Sequence, residues 1–168
     1  MLIARARLST APRSDAGATR SCGRSGTKVI YVGSQSMSGL HEHHEVTILL
    51  VEDEALVREL QAEVLADAGY HVVEAANADV AMCVLEAEPE RIQVLFTDVD
   101  MPGSMDGIRL AQVAHERWPH LKLLVTSGKI RPADRDLPDH GRFLPKPHRS
   151  AALTALVAEV VATPNHYC

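Results

Sequence analysis

The sequence is poor in aromatics, has few cysteines and contains no long apolar run. Phe, Trp and Tyr together make up 4% of its 168 residues, so an interior has to be filled by aliphatic side chains. Cys22, Cys83 and Cys168 are an odd number without the paired spacing of a zinc cluster, which argues against a disulfide framework or a structural metal knot. No stretch approaches the ~20 apolar residues of a membrane helix, and the N-terminus lacks the apolar h-region of a secretory signal. A cytoplasmic protein with no membrane partner is expected.

Basic residues are scarce beyond the first segment. Residues 1–36 hold six of them (Arg5, Arg7, Arg13, Arg20, Arg24, Lys28) against Asp15, a balance of +5, which leaves −10 on residues 37–168. A compact domain that acidic repels a phosphate backbone, so direct DNA binding is not expected. Residues 1–36 are rich in Ser, Gly, Arg, Ala and Thr without clear periodicity, and a disordered N-terminal extension is expected over 1–45. Its Arg-rich, acid-poor composition superficially resembles an organelle transit peptide, but a basic arm or a mis-assigned start gives the same composition, and Met37 is a candidate start. His41, His43 and His44 in "HEHH" have no second ligand cluster to complete a metal site and are read as a polar lead-in.

From residue 46 short apolar runs alternate with longer amphipathic stretches, and a single domain is expected over 46–163 with a tail at 164–168. The runs are "VTILLV" (46–51), "HVVEA" (71–75), "IQVLFT" (92–97), "LKLLVT" (121–126) and "RFLP" (142–145). Short, β-branched or aromatic, and in three cases nearly continuous, they suit parallel strands covered on both faces. Between them "EALVRELQAEVLADAG" places Leu56, Leu60 and Val64 on one helical face and ends at Gly69. The next two helical stretches offer Val80, Val84 and Leu85 behind an Asn77 cap, then Ile108, Ala111 and His115. The last offers Leu153, Leu156, Val157 and Val160 behind a Ser150 cap. This pattern implies an α/β fold, a doubly wound five-stranded parallel sheet with right-handed crossovers and a site at the carboxyl ends of its strands. In the fourth connection Pro132 and Pro138 predict a shortened or irregular fourth helix.

The stretch "LFTDVDMPGSMDG" runs a buried strand into Asp98 and Asp100, and the first strand ends in Glu52 and Asp53 at the same sheet edge. Carboxylates crowded there repel one another unless a hard divalent cation such as Mg²⁺ sits among them. The fourth strand ends at Thr126 and the fifth at Lys146, a hydroxyl and an ammonium able to hold the oxygens of a phosphoryl group in transfer.

Glu52–Asp53, Asp98 followed by Met101–Pro102, Thr126 and Lys146–Pro147, in this order and each at a strand end, closely resemble the receiver domain of two-component response regulators. The resemblance covers about residues 46–162 and implies a flavodoxin-like (βα)5 fold. It further implies that Asp98 accepts a phosphoryl group from a histidine kinase or a histidine phosphotransfer protein. Asp53, Asp98 and the backbone carbonyl of Asp100 would hold Mg²⁺, with Glu52 joining through water. Thr126 would bond the phosphoryl group, Lys146 would pair with it, and Phe143 would be the switch aromatic. The Lys146–Pro147 bond would be cis. The domain would be a phospho-accepting signalling module rather than an enzyme. With no effector domain expected after the last helix, output would pass through binding another protein or handing the phosphoryl group on, and a homodimer stays open.

Departures from the pattern are the broken fourth connection, Ser127 where alanine is usual, and the extra charge of Asp100. Two rival readings remain: a phosphorylation-independent receiver scaffold, and a haloacid-dehalogenase-like phosphatase using "DVD" at 98–100. The second lacks later acidic ligands, since the helping acids lie upstream at Glu52 and Asp53. Trp118, His115 and His120 are expected to pack or face solvent.

Overall fold

A computed structural model describes residues 19–22, 27–32, 46–129, 132, 137–138 and 141–164. In chain order the elements are β1 (Thr19–Cys22), β2 (Thr27–Val32), β3 (Thr47–Val51), α1 (Ala55–Asp67), β4 (His71–Ala75), α2 (Ala78–Ala87), β5 (Val94–Asp98), α3 (Gly107–Arg117), β6 (Lys122–Ser127), β7 (Arg142–Pro145) and α4 (Ser150–Ala162). One sheet holds all seven strands in the order β1-β2-β4-β3-β5-β6-β7.

The last five strands in that order pair in parallel, with β3 flanked by β4 and β5. Their alternating side chains fill two cores. Leu49, Val51, Leu95, Leu123 and Val125 pack with α2 and α3 on one face. Ile48, Leu50, Val94, Phe96 and Leu124 pack with α1 and α4 on the other. Covering both faces is why Ile48–Val51 and Val94–Phe96 can be apolar at consecutive positions. Chain direction across the sheet reverses between β3 and β5, so the crevice beyond their carboxyl ends is where this topology places a ligand.

Several helix expectations change. Asn77 does cap α2, its Oδ1 accepting from Val80 N at 2.9 Å, but Ser150 is the first residue of α4 and Arg149 occupies the cap position. In α3 the buried face is Gly107, Leu110, Ala111 and Ala114, with Ile108 and His115 only half-buried. The largest change is in α1: Gln61, Ala62, Leu65 and Ala66 face inward, while Leu56 and Leu60 are 75% and 61% exposed. The small side chains let α1 approach the sheet closely, and the leucine stripe is rotated out. Gly69, at φ +92°, ends the helix as expected by letting its own N–H reach Ala66 O and Tyr70 N–H reach Leu65 O.

The expected disorder over 1–45 is corrected for residues 19–22 and 27–32, where β1 and β2 form an antiparallel pair and β2 continues antiparallel onto β4. The physical reason is that β4 would otherwise expose a row of unpaired backbone groups at the sheet edge, and "TKVIYV" is rich in strand formers. The mixed sheet therefore has two strands more than the five parallel ones. The "HEHH" stretch and Met37 lie outside the described residues, as do 130–131, 133–136 and 139–140 of the fourth connection, so the expected shortened helix there also falls largely outside them.

Candidate functional site at the carboxyl ends of the strands

β3 ends at Val51 and delivers Glu52 and Asp53; β5 ends at Asp98 itself. One oxygen from each of Glu52, Asp53 and Asp98 can be chosen so that all lie within 4.8 Å of one another. Glu52 and Asp98 are buried and Asp53 is exposed at the mouth. Lys146, one residue past β7, bridges the buried pair: its Nζ stands 2.7 Å from Glu52 Oε2 and 3.0 Å from Asp98 Oδ2. The Lys146–Pro147 peptide bond is cis.

Burial pushes the Glu52 carboxyl above its usual range, and the hydrogen bond and charge of Lys146 only partly oppose this. Burial also disfavours the Lys146 ammonium, but Glu52 and Asp98 together outweigh it and hold the amine's pKa above 10.5. Lys146 is thus a charged group throughout the neutral range. Asp98 Oδ1 is buried and has no hydrogen-bond partner among the described residues. An ionised oxygen in that condition is costly unless a cation or donor reaches it.

The frame around Asp98 is tight. A Cβ on Gly107 would fall 1.8 Å from Asp98 O, so the start of α3 can approach β5 this closely only with glycine there. Asp106 caps that helix, its Oδ1 accepting from Arg109 N at 2.8 Å. Arg58 of α1 donates to Glu52 O at 2.6 Å and reaches Glu74 Oε2 at 3.3 Å, pinning the end of β3 to β4. Gly107 and Arg58 were not singled out from the sequence. The "DG" after the acid-bearing loop was a readable signal for the first; a lone arginine in an amphipathic helix gives none.

Thr126 is buried, and Asp98 is its register partner across β5 and β6. Its hydroxyl donates to Leu144 O at 2.7 Å, not to Asp98. Phe143, next to Leu144, is half-buried against the α2/α3 core. Asp100 stands outside the three-carboxylate cluster; its Oδ2 accepts from the Ser127 hydroxyl at 2.9 Å, and Lys129 N–H donates to that hydroxyl oxygen at 3.2 Å. Trp118 packs against the same core beneath the Arg117 guanidinium, while His115 and His120 are half-buried.

The donor set fits Mg²⁺. All three groups are hard oxygens, one of them is a buried orphan, and two ligands at about 2.1 Å from one ion stand at most ~4.2 Å apart. A cluster whose members lie within 4.8 Å therefore accommodates two direct ligands and one through water.

Comparison with known proteins places the chain. Residues 48–158 match the response regulator receiver domain, and the chain belongs to that family. It is 40% identical over 103 residues to the response regulator receiver protein CpdR of Brucella abortus, an alignment covering 60% of this chain and 83% of CpdR. It is also 36% identical over 118 residues to the sensor kinase CckA of the same organism, covering 68% of this chain but only 12% of that kinase. Among solved structures, the receiver domain of the hybrid histidine kinase CckA superposes with a TM-score of 0.60 at 33% identity, covering 68% of this chain and 98% of that one. A response regulator receiver protein from Sinorhizobium medicae gives 0.62 at 30% identity, covering 70% and 95%. The chain is thus a receiver domain of a two-component system, a family of signalling domains rather than classical enzymes. Its family binds Mg²⁺ at an acidic pocket, and the Glu52–Asp53–Asp98 cluster is such a group. No described helix is long and apolar enough to cross a membrane.

Proposed function

We propose that Asp98 is the phosphoryl acceptor of a cytoplasmic phosphorelay and that the domain signals through altered protein binding. The observation that carries this reading is the state of the Asp98 carboxylate: buried, with Oδ2 held by Lys146 and Oδ1 left without a partner. The donor is a phosphohistidine on a histidine kinase or histidine phosphotransfer protein, as the family relationship implies. A carboxylate oxygen of Asp98 bonds to phosphorus as the phosphorus–nitrogen bond breaks, and the electron pair returns to the imidazole.

Asp53, Asp98 and the Asp100 carbonyl would hold Mg²⁺ directly, with Glu52 joining through water, and the ion would supply positive charge against the phosphoryl oxygens. Lys146 pairs with the transferred group, exchanging part of its contact with Asp98 for a phosphoryl oxygen. Thr126 gives up Leu144 O for another phosphoryl oxygen. That exchange frees a carbonyl of β7 beside Phe143, and the aromatic ring follows the hydroxyl inward, changing the surface around β7. Population arithmetic sets the requirement: inverting a 1:99 equilibrium needs about 5.5 kcal/mol of differential stabilisation.

The test is intact mass after incubation with acetyl phosphate or phosphoramidate. Wild type gains one phosphoryl group with Mg²⁺ and none with EDTA, and Asp98→Asn gains none. A folded wild-type chain that takes up nothing from any donor would instead support a phosphorylation-independent scaffold. Rapid Mg²⁺-dependent turnover of diverse phosphate esters would support the phosphatase.

A further inference from the structure

α1 and the turn from β7 into α4 enclose a groove of about 420 Å³ with mostly apolar walls: Val57, Leu60, Val64, Pro147 and Leu153. A concave space within the ~300–1,000 Å³ that small ligands occupy becomes a specific site where a few polar groups converge on it. Gln61 is the first such group. It is 6% exposed, and its Oε1 is, with Asp98 Oδ1, one of two buried side-chain polar atoms without a hydrogen-bond partner among the described residues. An amide oxygen dehydrated against apolar walls and given no donor calls for an N–H or O–H from outside the fold. Ser150 supplies the second group. It lines the groove as the first residue of α4, a 13-residue helix whose cap residue Arg149 contributes no side-chain hydrogen bond. The leading N–H groups of a helix have no acceptor within it, so these suit a carbonyl oxygen.

Charge decides among ligand classes. Lys146 lines the groove and also touches Glu52 and Asp98, which cluster with Asp53, so three carboxylates stand beside the groove against one ammonium. That excess repels an anion and outweighs the attraction of one helix terminus. A cation would exchange its water for aliphatic walls, a loss that a single amide oxygen does not offset. A neutral ligand meets neither cost.

We infer that the groove is a binding site for a small neutral heteroaromatic molecule, a flat bicycle that donates one ring N–H to Gln61 Oε1 and accepts at one carbonyl oxygen from the N-terminus of α4. An aromatic body suits the walls because it combines a large apolar face with a donor at its rim. A bicycle suits their length because Val57 and Val64 lie two turns apart, ~10 Å along α1, more than a single ring spans. Gln61 then sets specificity: a body of the same size without the donor fills the groove but leaves Oε1 unpaired, and a site built on a buried acceptor discriminates strongly against that. The ligand binds the receiver domain itself, whether or not Asp98 carries a phosphoryl group.

The test titrates indole-3-carbaldehyde into the isotope-labelled full chain, in EDTA at neutral pH, and follows backbone amide resonances. Those of Val57, Leu60, Gln61, Val64 and Ser150 should shift saturably. Four relatives then separate the claims. The N-methyl aldehyde has no donor and should bind about tenfold more weakly, and indole, which has no carbonyl, about threefold more weakly. Indole-3-carboxylate and tryptamine, an anion and a cation, should each bind at least ~5-fold more weakly than the aldehyde. The penalty for N-methylation should vanish in Gln61→Leu; the wild-type series decides even if that variant folds poorly.

Absence of saturable shifts at these residues, equal binding of the aldehyde and its N-methyl form, or a methylation penalty that survives Gln61→Leu overturns the proposal. Indole binding as tightly as the aldehyde removes the role given to α4 and overturns it as well. So does a carboxylate or an amine that binds as tightly, because the groove then does not select a neutral ligand.

Discussion

Two buried oxygens lack a hydrogen-bond partner among the described residues, and their settings differ in kind. Asp98 Oδ1 ends a strand among other carboxylates with one ammonium close by; Gln61 Oε1 looks from a helix into aliphatic walls. The first carries charge where charge is already concentrated, so only a cation or a reacting electrophile relieves it. The second is neutral, and any modest donor with an apolar body will do. An unsatisfied atom thus points to a class of ligand only together with the charge and shape around it.

The contrast can be broken from either side. The largest effect should come from the frame of the charged orphan: Gly107→Ala forces a methyl onto Asp98 O and should destabilise the domain by about 3 kcal/mol in urea unfolding. Next, Lys146→Met leaves Glu52 and Asp98 facing each other without their ammonium. It should cost about 2–3 kcal/mol in EDTA, and millimolar Mg²⁺ should restore much of the loss, as scanning calorimetry would show. At the neutral orphan, Gln61→Leu removes an unpaired acceptor and should raise stability by about 1 kcal/mol, with no dependence on Mg²⁺. If Gln61→Leu were as sensitive to Mg²⁺ as Lys146→Met, the two sites would not be chemically distinct.

The smallest effect concerns His148, which lines the groove and whose pKa is held below 6.5 by burial and then by the charge of Lys146. The folded state therefore binds fewer protons than the unfolded one just below pH 6.5, and stability falls as pH drops through that region. His148→Gln should flatten that slope in denaturant curves taken between about pH 5 and 7.

Much of this was legible in the sequence because strand-end acids, a strand-end threonine and Lys146–Pro147 follow from periodicity and order alone. β4 and β7 coincide with the runs "HVVEA" and "RFLP", and the other parallel strands shift by one or two residues. The α1 face was misplaced because spacing cannot distinguish a leucine stripe turned inward from one turned outward; the small Ala62 and Ala66 on the other side decide it. The hairpin was missed because the composition of 36 residues diluted the six of "TKVIYV", and because pairing onto β4 is a tertiary event. The Thr126 hydroxyl bonded to Leu144 O was equally beyond reach, since a sequence shows which hydroxyl ends a strand but not which carbonyl it faces.

Reduction with borohydride tests the central claim most directly, because it converts an acyl phosphate at an aspartate into homoserine, which peptide mass spectrometry then locates. After acetyl phosphate and Mg²⁺, homoserine should appear at position 98 alone, with Asp53 and Asp100 intact. Homoserine at position 53 or 100, or unmodified peptides throughout from a folded chain, would contradict the assignment of Asp98 as the acceptor.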